Sequence, residues 1–161
     1  MPEPQDQPGD TFATPRTATA ALYFNGPEDV LLVNPTYKDG WELPGGYLMP
    51  DETPTSALAR ELLEELGTHL PIGRLLVVDW APNEREGDKI LWIFEGGELT
   101  EEQHAKIHVD GVEIDKYAYH HRSELDTLLI PRLARRVHAA IDARAKGETY
   151  YLERGARLDS R

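Results

Sequence analysis

The sequence predicts a single α/β domain in which helices cover a mixed β-sheet. Short apolar strands are interspersed with helices without a regular strand–helix alternation, which argues against a purely parallel sheet. Two stretches, 54–66 and 131–146, carry helical periodicity between clear start and stop signals. A glycine pair, Gly45-Gly46, lies at the end of a strand and feeds the first of these helices. A length of 161 residues suits one domain that buries about 70% of its unfolded surface.

Residues 1–15 hold Pro2, Pro4, Pro8 and Pro15 among polar residues and are expected to form a flexible arm with no role of its own. The folded domain is expected over 16–147, with a tail over 148–161. Arg16 to Asn25 reads as a strand, Asn25-Gly26-Pro27 as a turn and Val30 to Val33 as the second arm of a hairpin. Asn34 to Gly40 is a loop, and Trp41-Glu42-Leu43 leads into a glycine loop at Gly45-Gly46. Thr53 caps the next helix, Pro54 suits its first position, and Gly67 stops it. Leu58, Leu62 and Leu66 recur every fourth residue and turn one face inward.

Pro71 to Trp80 reads as a strand, Ala81 to Asp88 as a polar loop, and Ile90 to Phe94 as a central strand broken by Gly96-Gly97. Thr100 to Gln103 has the form of a capping box opening a short helix that ends near Ile107. Glu113 to His120 is a further strand, and Ser123 to Asp126 starts a short helix before Pro131. From Pro131 to Lys146 the chain forms an amphipathic helix. Leu133, Ala134, Val137, Ala140 and Ile141 face inward, and Arg132, Arg135, Arg136 and Arg144 form a solvated face. Tyr150-Tyr151-Leu152 is expected as a small edge strand.

The opposite face of the first helix is chemically unusual. Glu61, Glu64 and Glu65 stand at i, i+3 and i+4, a spacing at which like charges repel by about 0.2–0.5 kcal/mol per pair. Arg60 relieves part of this through Glu64. Such a cluster of hard oxygen donors is what a divalent cation rewards, and glycine backbone can approach a metal or phosphate closely. The spacing is demanding: Gly46, five residues, Glu52, seven residues, Arg60-Glu61-Leu62, one residue, Glu64-Glu65, one residue, Gly67. Composition alone would produce it in roughly 1 chain in 10⁵.

At these residues the sequence resembles the Nudix hydrolase family (MutT-like), whose box has this form and whose fold is an α/β/α sandwich with a mixed β-sheet. All the fixed box residues are present. Thr68 stands where the box ends in an aliphatic, Met49 where many members carry an extra acid, and Asp51 where many carry glycine. The resemblance implies that Glu61, Glu64 and Glu65 coordinate Mg²⁺ or Mn²⁺ and that the Gly45 carbonyl completes the shell. It implies that Arg60 and Glu52 pair to fix the loop, with direct contact of Arg60 to phosphate as the alternative. Gly46 and Gly67 are structural in the motif. Glu113 matches the later-loop acid that many members use as metal ligand or general base. Asp115 and Glu98 are alternatives, and the base stays open between Glu113 and a helix glutamate such as Glu64. Trp80, Trp92 and Tyr23 are candidates for stacking on a nucleobase, set against plain core packing.

The implied function is metal-dependent pyrophosphohydrolysis of a nucleoside diphosphate linked to another moiety, by attack of metal-activated water on phosphorus. The alternative is a Nudix module that binds or senses a nucleotide without cleaving it. A formal charge of −12, from 17 basic and 29 acidic residues, argues against a nucleic-acid polymer as partner. Absence of cysteine removes disulfides, thiolate metal sites and a cysteine nucleophile. No apolar run reaches the ~18 residues of a membrane span, so a cytoplasmic protein is expected, and the family resemblance implies that it can pair as a homodimer.

Overall fold

The computed structural model describes residues 11–158. Residues 1–10 of the expected arm and 159–161 of the expected tail lie outside the described residues. Eight strands form one mixed sheet: β1 (Arg16–Phe24), β2 (Asp29–Pro35), β3 (Gly45–Tyr47), β4 (Leu75–Trp80), β5 (Lys89–Glu98), β6 (Ile114–His121), β7 (Tyr150–Glu153) and β8 (Ala156–Arg157). Their order is β6-β2-β1-β5-β4-β7-β8, with β3 added beside β1. Four helices accompany them: α1 (Pro54–Leu66), α2 (Glu101–Lys106), α3 (Leu125–Leu128) and α4 (Pro131–Lys146).

The sheet is covered on both faces. Alternation along β1 sends Ala21 and Tyr23 into a core with Leu58, Leu62 and Leu66 of α1. It sends Leu22 and Phe24 into a second core with Ala134, Val137, Ala140 and Ile141 of α4. This is the expected α/β/α sandwich. A strand segment buried on both faces reads as continuously apolar, as residues 21–24 of β1 do. Among the described residues no helix is long and apolar enough to cross a membrane.

The predicted signals position α1. Thr53 Oγ1 accepts from the Ser56 N–H at 3.2 Å, Ser56 Oγ accepts from the Thr53 N–H at 2.8 Å, and Gly67 closes the helix at a φ of 73°. Thr100 and Gln103 form the expected capping box on α2.

Several expectations are corrected. Gly45-Gly46 is not a loop: with Tyr47 it forms β3, pairing antiparallel with Ala18–Ala20 of β1. β2 meets β1 only near Phe24↔Val30, so β3 takes the remaining length of the same edge. Gly96-Gly97 does not break β5, which continues to Glu98. A Cβ on Gly96 would sit 2.1 Å from the Tyr23 ring, so glycine there makes room for a core tyrosine. Pro71 to Arg74 lies outside β4. Arg136 points inward rather than to solvent: it is 5% exposed and paired with the fully buried Asp79. The expected tail strand is present as β7, parallel to β4 near the sheet edge, with the two-residue β8 beyond it.

Candidate active site

The acidic face of α1 packs against β3, and the loop ahead of β6 brings a third acid to it. Glu61, Glu64 and Glu113 each offer a carboxylate oxygen, and these oxygens lie within 4.8 Å of one another. Glu113 comes from the loop immediately before Ile114, where strand pairing with β2 begins. Two α1 acids and one from a chain segment about fifty residues later thus converge through sheet topology.

Glu65 is set apart from this triplet. It is 7% exposed, and the Gly45 N–H donates to its Oε1 at 3.3 Å. Burial pushes its carboxyl up to about 9, against the opposing Gly45 bond and with added repulsion from Glu61. Burial also raises Glu61, opposed by Arg60.

The glycines have steric reasons. A Cβ on Gly46 would lie 2.5 Å from both Cδ and Oε1 of Glu61. One on Gly45, which has a φ of 146°, would lie 2.0 Å from the Thr19 carbonyl oxygen. Asp51, where the resembled family often has glycine, takes a positive φ of 68°.

Arg60 is the hub of the motif. Nε donates to Glu52 Oε1 and Oε2 at 3.2 and 3.0 Å. Nη1 donates to Glu61 Oε1 at 2.9 Å and Glu64 Oε2 at 3.3 Å. Nη2 donates to the Tyr47 carbonyl at 3.1 Å and to Glu52 Oε1 at 3.0 Å. The expected Arg60–Glu52 pair is present, and the whole guanidinium fork is engaged by protein acceptors. Arg60 is the main cause of a lowered Glu52 pKa.

The donor set fits a hard divalent cation. It consists of mutually repulsive carboxylate oxygens, and beside it stands Glu65, a buried acid whose ionised form burial disfavours.

The cluster opens into a cleft of about 830 Å³. Residues with no local sequence signal line it: Arg16, Lys89, Arg132, Arg136, Tyr37 and Tyr47. At its rim Lys89 Nζ donates to Tyr47 Oη at 3.0 Å and to Glu86 Oε2 at 2.7 Å, and Tyr47 and Glu86 are themselves hydrogen-bonded. Lys89, then Tyr47 and Asn83, hold the Glu86 carboxyl at about 2. Tyr37 lines the cleft beside the acids; partial desolvation of its hydroxyl there, then the negative charges of Glu42, Glu65, Glu113 and Glu61, raise it to about 12.

Of the three stacking candidates, Tyr23 is excluded by full burial, its hydroxyl donating to the Pro71 carbonyl at 3.0 Å. Trp92 lines the cleft, whereas Trp80 is not among its lining residues.

The NUDIX domain description matches residues 14–141. Diphosphoinositol polyphosphate phosphohydrolase 3-alpha of Mus musculus is 34% identical over 88 residues, 54% of each chain. The chain thus spans about half the length of that relative. Among solved structures, a UDP-X diphosphatase has a TM-score of 0.67 at 20% identity, covering 91% of this chain and 70% of its own. A MutT protein from Methanosarcina mazei Go1 has a TM-score of 0.65 at 21% identity, covering 86% of this chain and 100% of its own. At these identities the two structures speak for the fold.

Proposed function

The chain belongs to the NUDIX family, and from that premise we propose that it is a cytoplasmic, metal-dependent pyrophosphohydrolase of a nucleoside diphosphate joined to a second group. The carrying observation is the convergence of Glu61, Glu64 and Glu113 beside Gly46. Glu61, Glu64, Glu65, Glu113 and the Gly45 carbonyl would hold Mg²⁺ or Mn²⁺. Such an ion supplies Lewis acidity toward phosphoryl oxygens and lowers the pKa of water.

The chain's own groups do the rest. Arg60 positions Glu61 and Glu64 and ties them to β3 through Tyr47 and to the preceding turn through Glu52. Glu113 or a helix glutamate such as Glu64 takes the proton from the attacking water as its oxygen bonds to phosphorus. The bridging P–O bond breaks, leaving a nucleoside monophosphate and a phosphorylated remainder. Arg16 and Lys89, which share the single acid Glu86, together with Arg132 leave net positive charge on this wall of the cleft and favour entry of an anion into an otherwise acidic protein.

A second reading is favoured by a specific observation. The relative's name denotes a phosphohydrolase of diphosphoinositol polyphosphates, and the same cations suit a substrate bearing many phosphates. A sensing role without cleavage is disfavoured by the complete set of box acids.

The full chain is to be assayed with Mg²⁺ or Mn²⁺ against nucleotide sugars, dinucleoside polyphosphates, NADH, nucleoside triphosphates and a diphosphoinositol polyphosphate. Products are identified by mass spectrometry. At least one nucleotide should be cleaved, and Glu64→Gln should slow that reaction by roughly 10²-fold or more. Cleavage of none with either ion overturns the proposal.

A further inference from the structure

One wall of the cleft holds a cradle of donors that the chain fills with its own carboxylate. Glu86, on the turn between β4 and β5, lines the cleft with Arg16, Tyr47, Asn83 and Lys89. Lys89 Nζ, on β5, donates to Glu86 Oε2 at 2.7 Å, and Asn83 Nδ2 donates to the same oxygen at 3.0 Å. The Tyr47 hydroxyl, on β3, donates to Oε1, and Arg16 Nη1, on β1, lies 3.6 Å from that oxygen. Lys89 also donates to Tyr47 Oη at 3.0 Å, so the tyrosine's own proton is left for Glu86. Lys89, then Tyr47 and Asn83, keep the carboxyl ionised down to about 2.

The charges do not match. Arg16 and Lys89 bring two positive charges to one negative charge, and the Arg16 side chain, 60% exposed, stays beyond hydrogen-bond distance. The turn does not need the Glu86 side chain to hold its shape. Asn83 and Gly87 exchange backbone hydrogen bonds at 3.1 and 2.9 Å. Asn83 Oδ1 accepts from the N–H groups of Arg85 and Glu86 at 3.0 and 2.8 Å. Rotation of the Glu86 side chain can therefore empty the cradle while the turn stays closed.

We propose that Glu86 is an intramolecular stand-in for a substrate phosphate, and that a phosphate group remote from the scissile bond enters the Lys89–Tyr47–Asn83–Arg16 cradle by displacing it. The inference deepens the hydrolase reading and rests on it for the substrate, not for the cradle. A phosphate monoester brings about two negative charges and three acceptor oxygens, which suits two cations and two neutral donors better than a carboxylate does. β3 carries both sites: Gly46 seats Glu61, and the Tyr47 carbonyl accepts from Arg60 Nη2 while its side chain serves the cradle. Glu86 thus selects for substrates with a phosphate beyond the cleaved diphosphate, because a ligand without one cannot offset its displacement.

Inorganic pyrophosphate is the probe, titrated into the full chain by phosphorus NMR with chelator present so that the acid cluster holds no cation. Glu86→Ala should bind it about fivefold more tightly than the parent, the gain expected from removing one competing charge at a partly exposed site. Lys89→Met added to Glu86→Ala should abolish that gain. If Glu86→Ala fails to fold, as judged by its melting curve, Glu86→Gln keeps the shape, removes the charge and should show a gain in the same direction. On any nucleotide the chain cleaves, Glu86→Ala should lower KM with kcat changed less than about twofold, whereas loss of a purely structural contact would raise KM or lower kcat. Pyrophosphate binding that is no tighter in the folded Glu86 variants, or absent from parent and variants alike, overturns the inference. Tighter binding in Glu86→Ala without cleavage of any nucleotide in the substrate panel would instead sink the hydrolase reading and leave the cradle standing.

Discussion

Glu61 and Gly46 approach so closely that a Cβ on the glycine would fall 2.5 Å from the Glu61 carboxyl carbon. The glycine pair is therefore the surface against which a cluster acid is seated. Gly46→Ala should push Glu61 out of place. Activity with Mg²⁺ should fall roughly 10²-fold, and the Mn²⁺ concentration for half-maximal rate should rise. Steady-state kinetics across a metal titration checks this.

Arg60 joins Glu52, Glu61, Glu64 and the Tyr47 carbonyl. A lysine has no planar fork and cannot reach these acceptors together. Arg60→Lys should lower stability by about 1–3 kcal/mol and reduce activity as well. Urea unfolding and kinetics on the same preparation measure both.

Glu65 links the site to pH. Its folded carboxyl is raised from 4.5 to about 9, chiefly by burial, so between those values the folded protein holds a proton that the unfolded chain has lost. The contribution is full below 4.5 and disappears as pH rises through about 9. Metal-free protein should therefore melt at progressively lower temperature from pH 5 to pH 9, and Glu65→Gln should flatten that slope. Chelator should lower the melting temperature more at pH 8 than at pH 5, because a bound cation favours the ionised cluster.

The Arg136–Asp79 pair is the most buried ion pair described, with side chains 6% and 0% exposed. Asp79→Ala leaves Arg136 charged and unpartnered and should cost about 3–5 kcal/mol. Denaturant unfolding is the check, and a loss below 1 kcal/mol would contradict this placement.

The boundaries of α1 and α4 were legible because they are local: Thr53, Pro54 and Gly67 for one, Pro131 and Gly147 for the other. The acid cluster on α1 was legible for the same reason, since i, i+3 and i+4 share a helix side. Arg136 was not. A charged residue on an amphipathic helix reads as solvated, and its partner lies 57 positions earlier on β4. Nor was the division among the acids, where burial turns Glu65 inward and sheet pairing delivers Glu113. Gly96 reads as a breaker because nothing nearby announces the Tyr23 ring beneath it. The cations of the cleft come from β1, β5 and α4, and only the fold assembles them.

Anomalous diffraction from a crystal soaked in Mn²⁺ tests the metal centre most directly. The prediction is a peak roughly 2.1 Å from carboxylate oxygens of the α1 glutamates, with Glu113 on the same ion or its neighbour. A well-ordered site with no peak among Glu61, Glu64, Glu65 and Glu113 would contradict it.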